Sequence, residues 1–229
     1  MKVVFCVPSL QGPTAPFVEA LERSLPLIKA AGWEEGAVEE RGCPYISYAR
    51  AAMLRKALDA KADVIVFLDY DLSWDPQDLL TLIETEGDVV AGTYRFKKDE
   101  EVYMGVWRTD GADRPVVRDG CFLASRIPAG FMKITREGVD RFMTAYPELT
   151  FGVRYSPSVD LFNHGVIDGV WYGEDYAFSK RWVECGGEIA LIPNLNINHH
   201  SGDHEFKGNL HEFMMRQPGG AKAVCDAVQ

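Results

Sequence analysis

Residues 62–71 are Ala-Asp-Val-Ile-Val-Phe-Leu-Asp-Tyr-Asp. They contain five consecutive apolar side chains, Val64–Leu68, and then two aspartates, Asp69 and Asp71, with a tyrosine between them. The run Val64–Leu68 lacks polar–apolar alternation, which predicts a strand buried on both faces, as in a parallel sheet. Ligands of open α/β sheets bind beyond the carboxyl ends of the strands, where Asp69 and Asp71 lie. Residues two apart in an extended chain point the same way, so both carboxylates can face one ligand. Two such oxygen ligands beside a diphosphate suit Mg²⁺ or Mn²⁺, whereas the plainer alternative is a pair of turn or capping aspartates.

Strands and helices alternate around this run. Val3–Val7 predicts a first strand, Tyr45–Ala60 a helix, and Val89–Gly92 another buried strand. The helix after the first strand contains Pro26, which predicts a kink or an early end. This βαβαβ order predicts a doubly wound α/β sheet over the first 92 residues. Turn dipeptides then separate three runs that predict hairpin strands, namely Val102–Trp107, Pro115–Val117 and Cys121–Ala124. We therefore expect one α/β domain with a central mixed sheet flanked by helices.

The composition narrows the classes of function. Among 229 residues, 24 Lys and Arg stand against 34 Asp and Glu, a formal charge of −10. Such an acidic protein repels duplex nucleic acid and anionic membranes, so we expect neither as a main partner. The longest apolar runs are far too short for a membrane span, and the first residues lack the pattern of a signal peptide. Five scattered cysteines without a C-x-x-C pair fit reduced thiols. These features predict a cytoplasmic protein with no transmembrane segment.

Two acidic residues and two histidines form further candidates. Glycine at position 173 allows a tight turn, and Glu174 and Asp175 then start a helix, where a carboxylate can accept a proton from a hydroxyl group. The helix macrodipole alone also favours acidic residues there. Adjacent His199 and His200 can be metal ligands or plain loop residues. Strand alternation predicts that His199 lies on the buried face and His200 on the other, which leaves open which of them would bind metal.

An arginine and a glycine complete the candidates. Arg50 lies on the helix that precedes the acidic strand, and from there it can clamp a phosphate or be solvated. Gly130 predicts a bend that leads into a strand, either a plain turn or a place where a ligand approaches the backbone closely.

Taken in order along the chain, these segments resemble the GT-A family of nucleotide-sugar glycosyltransferases. The matching segments are Val7–Ser9, Ile46–Arg50, Ala62–Asp71, Val89–Arg95, Gly130–Ile134, Gly173–Asp175 and His199–Gly202. The resemblance implies a single-domain, Rossmann-like GT-A fold. It also implies a catalytic domain over residues 1–205, with a nucleotide-binding half (1–92) and an acceptor half (93–205). Residues 206–229 would be a C-terminal tail, which we expect to be mobile or loosely docked.

The resemblance also implies an activity and a role for each candidate. The enzyme would move a sugar from a UDP-, GDP- or dTDP-linked donor to a hydroxyl group of a glycan, lipid-linked sugar or protein. The transfer would invert the anomeric carbon if Asp175 is a base; a retaining enzyme would not need that base, and the sequence does not decide between the two outcomes. Mn²⁺ or Mg²⁺ would be bound by Asp71, with Asp69 sharing the metal or contacting the ribose, and by His199 or His200. Asp175 would be the base, and Glu174 would position the substrate. The donor would be lined by Pro8, Ser9, Arg50, Asp69, Tyr70, Asp71 and Gly130.

Two other interpretations stay open at this stage. Asp69 to Ser73 approximates the D-x-D-x-T loop of haloacid-dehalogenase-type phosphatases, in which Asp69 and Asp71 would do the chemistry. That family carries its loop on the first strand, whereas here a strand and two helices precede it. The second is a sugar-nucleotide-binding module that keeps the fold without catalysis.

Overall fold

The first 92 residues alternate strand and helix, as the apolar runs predict. The computed structural model describes residues 1–217. The strands of this half are β1 (Lys2–Ser9), β2 (Glu34–Arg41), β3 (Val64–Leu68), β4 (Leu72–Trp74) and β5 (Val89–Gly92). Its helices are α1 (Ala15–Ala30), α2 (Ile46–Asp59) and α3 (Pro76–Glu84). Helix α1 continues past Pro26, against expectation, because packing of the fully buried Ile28 helps to hold its last turn.

From residue 93 to residue 217, short strands are mixed with three α-helices. The strands of this part are β6 (Val106–Trp107), β7 (Val117–Arg118), β8 (Cys121–Arg126), β9 (Phe131–Thr135), β10 (Thr150–Val153), β11 (Ser156–Val159), β12 (Gly165–Ile167), β13 (Val170–Tyr172), β14 (Ile189–Ile192), β15 (Ile197–Ser201) and β16 (His204–Phe206). Its helices are α4 (Arg136–Ala145), α5 (Glu174–Glu184) and α6 (Leu210–Arg216). The expected strand Val102–Trp107 is wrong in extent, since only its last two residues form β6 and Tyr103 makes an isolated bridge to Arg95.

The main sheet places the predicted strand β3 near its middle. The strand order is β2-β1-β3-β9-β5-β14-β8-β6, with β7 on β8. Strands β2, β1 and β3 are parallel, as expected. Strand β9 runs antiparallel between β3 and β5, so the doubly wound parallel order does not extend to residue 92. Every side chain of β3 is at most 3% exposed, which agrees with a strand covered on both faces.

Helices cover both faces of this sheet. Helices α1 and α3 pack on one face, against strand side chains such as Phe5 and Val66. Helices α2, α4 and α5 pack on the other face, against Cys6 and Phe67. Because successive strand residues alternate between the faces, one short apolar strand contributes to both cores. The expected central mixed sheet flanked by helices is confirmed. In the described part of the chain, no helix is both long and apolar enough to cross a membrane.

The chain after residue 205 is packed for as far as it is described. Leu210 of α6 is 1% exposed, and the ring of Phe213 lies 5.3 Å from that of Tyr103. Arg216 donates to the carboxylate of Glu101 at 2.8 Å. The expectation of a loosely docked tail is therefore wrong for residues 206–217. Residues 218–229, which include the fifth cysteine, lie outside the described residues.

Candidate functional site

The predicted acids and Arg50 meet at the carboxyl end of β3. Asp69 and Asp71 follow that strand directly, α2 brings Arg50 from one face of the sheet, and the first turn of α5 brings Glu174 and Asp175. The topology therefore joins residues that are more than a hundred positions apart in sequence.

Arg50 is the centre of this cluster. Its side chain is 3% exposed, and its guanidinium donates from Nη2 to Asp69 Oδ1 at 3.0 Å and from Nη1 to Glu174 Oε1 at 2.8 Å. The guanidinium also lies 5.0 Å from the ring centre of Phe162. Burial alone would lower the pKa of Arg50, but the Asp69 and Glu174 carboxylates raise it above its usual value. Arg50 therefore stays charged and holds two elements of the site together.

The second oxygen of Asp69 is held by Tyr94, which sequence reasoning missed. The Tyr94 hydroxyl donates to Asp69 Oδ2 at 3.1 Å. Burial, reinforced by Asp69, raises the pKa of Tyr94 well above its usual value, so the phenol keeps its proton. The available signal was only that Tyr94 follows the end of β5. Both oxygens of Asp69 thus have partners within the protein.

Gly130 is packed against the same carboxylate. Its carbonyl accepts the backbone N–H of Asp69 at 2.8 Å. A β-carbon at position 130 would overlap Asp69 Oδ2 and the Tyr94 hydroxyl oxygen. The missing side chain therefore lets the Asp69 carboxylate lie against the backbone, which is a reason for glycine that does not involve a ligand.

Asp71 lies in a second group, with Lys97 and His199. Its side chain is 11% exposed; the Lys97 ammonium donates to Oδ2, and His199 Nε2 lies 3.7 Å from Oδ1. Burial alone would raise the pKa of Asp71, but His199 and Lys97 more than offset this and hold the pKa below its usual value. Asp71 is therefore ionised at neutral pH. Lys97 is the second residue that sequence reasoning missed.

The two histidines face different surroundings, as alternation predicts. Strand β15 pairs with β4 so that His199 lies opposite Leu72. His199 is buried, and its Nδ1 lies 2.8 Å from the carbonyl oxygen of Arg95. His200 is half-buried; its Nε2 lies 2.8 Å from the Ser73 hydroxyl, and burial lowers its pKa. His199, rather than His200, is the histidine beside the Asp71 carboxylate.

The fit of these residues to a divalent cation rests on two side chains. A carbonyl can only accept, so Nδ1 of His199 is the donor; when the ring is neutral, Nε2 then carries a lone pair that faces Asp71 Oδ1. Two acceptors that face each other suit a shared cation. Asp69 is engaged by Arg50 and Tyr94. Within residues 1–217, no group of three or more His, Cys, Asp and Glu side chains is arranged to hold a metal ion.

Asp175 has the electrostatic character of a base. Glycine 173 is the N-cap of α5, and Asp175 Oδ1 accepts the N–H of Tyr176 at 2.7 Å. Burial raises the pKa of Asp175 to about 6, and the adjacent Glu174 carboxylate adds to this, whereas Arg50 opposes it. A carboxylate with a pKa near 6 is ionised at pH 7 yet more basic than an ordinary aspartate.

The remaining predicted residues lie at the edge of this cluster. Pro8 and Ser9 end β1, beside β3, and the Ser9 hydroxyl donates to Glu39 at 3.1 Å. The carbonyl of Tyr70 accepts the N–H of Thr14 at 3.0 Å. Nothing in these contacts involves Arg50 or Asp69, so the donor-lining role of Pro8, Ser9 and Tyr70 stays a prediction.

Cavity volume does not identify this cluster as a binding site. A cavity of about 840 Å³ lies beside the amino ends of β5 and β14, where Asp88 and Glu188 are among its lining residues. None of the predicted site residues lines it. The convergence of charged side chains, and not the shape of the surface, therefore singles out the site.

Comparisons with known proteins add only distant likenesses. The chain matches no protein-family model and none of the curated proteins. It is similar in structure to an inositol-1-phosphate CTP transferase from T. maritima, with 10% identity, a TM-score of 0.41, and coverage of 87% of this chain and 90% of that one. It is also similar to a glycosyltransferase involved in glycosylation of the major capsid of PBCV-1 (11% identity, TM-score 0.31, 59% and 62% coverage). A third likeness is to S. aureus TarS (10% identity, TM-score 0.40, 83% and 35% coverage). Likenesses at this level do not decide the function of the chain.

Proposed function

We propose that this protein is a glycosyltransferase that moves a sugar from a nucleotide-sugar donor to a hydroxyl acceptor. The observation that carries the proposal is the convergence of Asp69, Asp71, Glu174 and Asp175 around Arg50 and His199 at the carboxyl end of β3. Open α/β sheets bind nucleotides at that edge.

In this proposal Asp175 is the general base for an inverting displacement. Its carboxylate takes the proton of the acceptor hydroxyl, whose oxygen forms a bond to the anomeric carbon on the face opposite the leaving group. The bond from that carbon to the diphosphate oxygen breaks, and the diphosphate leaves with the electron pair. A pKa near 6 suits this role at neutral pH. In the same proposal Glu174, held by Arg50 at 2.8 Å, positions the acceptor.

The proposed metal site is Asp71 and His199, and we propose no metal contact for His200. Mg²⁺ is commonly held by one or two carboxylates together with substrate phosphates, so two protein ligands suffice when a diphosphate is present. A bound Mn²⁺ or Mg²⁺ would stabilise the charge that develops on the leaving diphosphate. Arg50 then acts as a positioning residue, because its described hydrogen bonds go to Asp69 and Glu174.

The geometry disfavours the phosphatase interpretation. A phosphatase that used Asp69 as its nucleophile would attack through an oxygen that already accepts a hydrogen bond, from Arg50 at Oδ1 or from Tyr94 at Oδ2, and each such bond makes the oxygen less nucleophilic. Release of phosphate from generic phosphomonoesters would nevertheless support that alternative.

Release of nucleoside diphosphate from a panel of nucleotide sugars tests the proposal. We expect turnover with Mn²⁺ that Asp71→Ala abolishes, while the circular dichroism spectrum shows that the fold survives. Full activity in the presence of a metal chelator would refute the metal-dependent mechanism. Nucleotide binding without turnover would favour the non-catalytic binding module.

A further inference from the structure

Lys97 is held in place by its own loop. The N–H of Lys98 donates to the carbonyl of Phe96 at 2.8 Å, which closes a three-residue turn with Lys97 at its apex. Arg95 braces this turn by donating from Nη2 to the carbonyls of Lys98 and Asp99 at 3.3 and 3.0 Å. The carbonyl of Arg95 also accepts Nδ1 of His199. One short segment therefore positions both the lysine and the histidine that face Asp71.

The ammonium of Lys97 occupies one oxygen of the Asp71 carboxylate, and the other oxygen faces His199. Lys97 donates to Oδ2, whereas Oδ1 faces Nε2 of His199 at 3.7 Å, too long for a hydrogen bond. The Lys97 side chain is 35% exposed and Asp71 only 11%. Asp71 is therefore the more enclosed partner, and the Lys97 ammonium reaches it from the solvent side.

We infer that Lys97 and a divalent cation are alternative partners of Asp71, and that the displaced ammonium pairs with the diphosphate of the donor. This inference rests on the proposed function for its ligand. Two cations on one carboxylate repel each other, so Lys97 keeps metal affinity low while no diphosphate is present. A diphosphate supplies negative charge for both cations. Metal binding and diphosphate binding are then positively coupled, and the coupling passes through Lys97.

The consequence is a pair of opposite effects in one variant. Lys97→Met frees Asp71 and removes the competing charge, so Mn²⁺ alone binds more tightly, by about fivefold or more. The same variant loses the ammonium that pairs with phosphate oxygens once the cation holds Asp71, so inorganic pyrophosphate in saturating Mn²⁺ binds about fivefold more weakly or worse. These factors correspond to a coupling of about 1 kcal/mol, at the lower end of the usual range. If Lys97 only stabilised its loop, Lys97→Met would weaken the binding of both Mn²⁺ and pyrophosphate.

Isothermal titration calorimetry with Mn²⁺ alone, and with pyrophosphate in saturating Mn²⁺, tests this inference on the full chain. Lys98→Met is the matched control, because Lys98 lies next in the chain and pairs with the exposed Glu100 at 3.2 Å. We expect neither affinity to change in that control. Lys97→Arg keeps the charge and should bind Mn²⁺ as the wild type does.

The results separate this inference from the proposed function. Unchanged or weaker Mn²⁺ binding by Lys97→Met overturns the inference, as does unchanged binding of pyrophosphate. If the two opposite shifts occur but no nucleotide sugar is turned over, the exchange at Asp71 stands and the glycosyltransferase proposal fails. If donors are turned over and Lys97→Met matches the wild type in both titrations, only the inference fails.

Discussion

Replacing Arg50 by methionine tests how the site is held together. Methionine keeps much of the length of the side chain but removes the charge that faces Asp69 and Glu174. Arg50 is 3% exposed, and its two ion pairs measure 3.0 and 2.8 Å. Loss of one partner of a buried ion pair typically costs 3–5 kcal/mol. The Asp69 and Glu174 carboxylates are 28% and 25% exposed, so water can reach them. We therefore expect Arg50→Met to lower the free energy of unfolding by about 3 kcal/mol, the lower end of that range.

A double-mutant cycle with Glu174→Gln makes this prediction sharper. In the wild-type background, Glu174→Gln weakens a charge-assisted hydrogen bond and should cost about 1.5 kcal/mol or more. In the Arg50→Met background, the same change removes one of two carboxylates that lack their counter-charge, so it should stabilise the protein. The sign of the Glu174→Gln effect therefore reverses.

Urea denaturation followed by circular dichroism at pH 7.5 measures all four corners of the cycle. If Arg50→Met lowers the free energy of unfolding by less than about 1 kcal/mol, the reasoning is refuted, because the buried guanidinium would then not hold the two carboxylates together. A Glu174→Gln effect of the same sign and size in both backgrounds would refute it as well, because the pair would then be uncoupled.

Three further predictions concern pH and packing. Transfer should fall as the pH drops through about 6, where the Asp175 carboxylate takes up a proton, and a pH-independent rate between pH 5 and 8 would argue against this base. Because the folded protein raises the pKa of Asp175 from 3.8 to about 6, this group destabilises the fold increasingly as pH rises through that interval. Asp175→Asn should therefore be about 1–2 kcal/mol more stable than the wild type at pH 8 and equal to it at pH 4, by urea melts, although it abolishes transfer. Gly130→Ala should cost about 1–3 kcal/mol, since its β-carbon overlaps the Asp69 carboxylate and the Tyr94 hydroxyl, whereas Gly111→Ala, with open space at that position, should change stability by less than about 0.5 kcal/mol. Equal melting temperatures for the two alanine variants would contradict the packing argument.

Local patterns in the sequence predicted the elements that carry the site. The unbroken apolar run of β3 predicted a strand buried on both faces, and the structure agrees. The glycine and two acids at 173–175 predicted the start of α5. Alternation predicted that His199 and not His200 faces inward. Each of these features depends on a few neighbouring residues, which is why periodicity and capping preferences were enough.

The pairing of distant segments was not predictable in this way. Strand β9 has the same apolar character as its neighbours, and nothing local indicates that it enters the sheet antiparallel between β3 and β5. Tyr94 and Lys97 follow β5 as ordinary loop residues, and they reach Asp69 and Asp71 only because β5 lies near β3 in the sheet. Long-range strand order depends on the whole chain, so these contacts required the three-dimensional structure.

The central claim is that the residues around Asp69 and Asp71 bind a nucleotide sugar together with a divalent cation. Its most direct test is a thermal-shift titration of the full chain with nucleotide sugars, with and without Mn²⁺, against Asp71→Asn. At a ligand concentration of 100 times Kd, binding stabilises the fold by about 2.7 kcal/mol, or roughly 5–10 °C for a chain of this size. We predict such a shift for at least one UDP-, GDP- or dTDP-linked sugar in Mn²⁺, and its loss in Asp71→Asn. No shift with any donor, or an equal shift in Asp71→Asn, would contradict the claim.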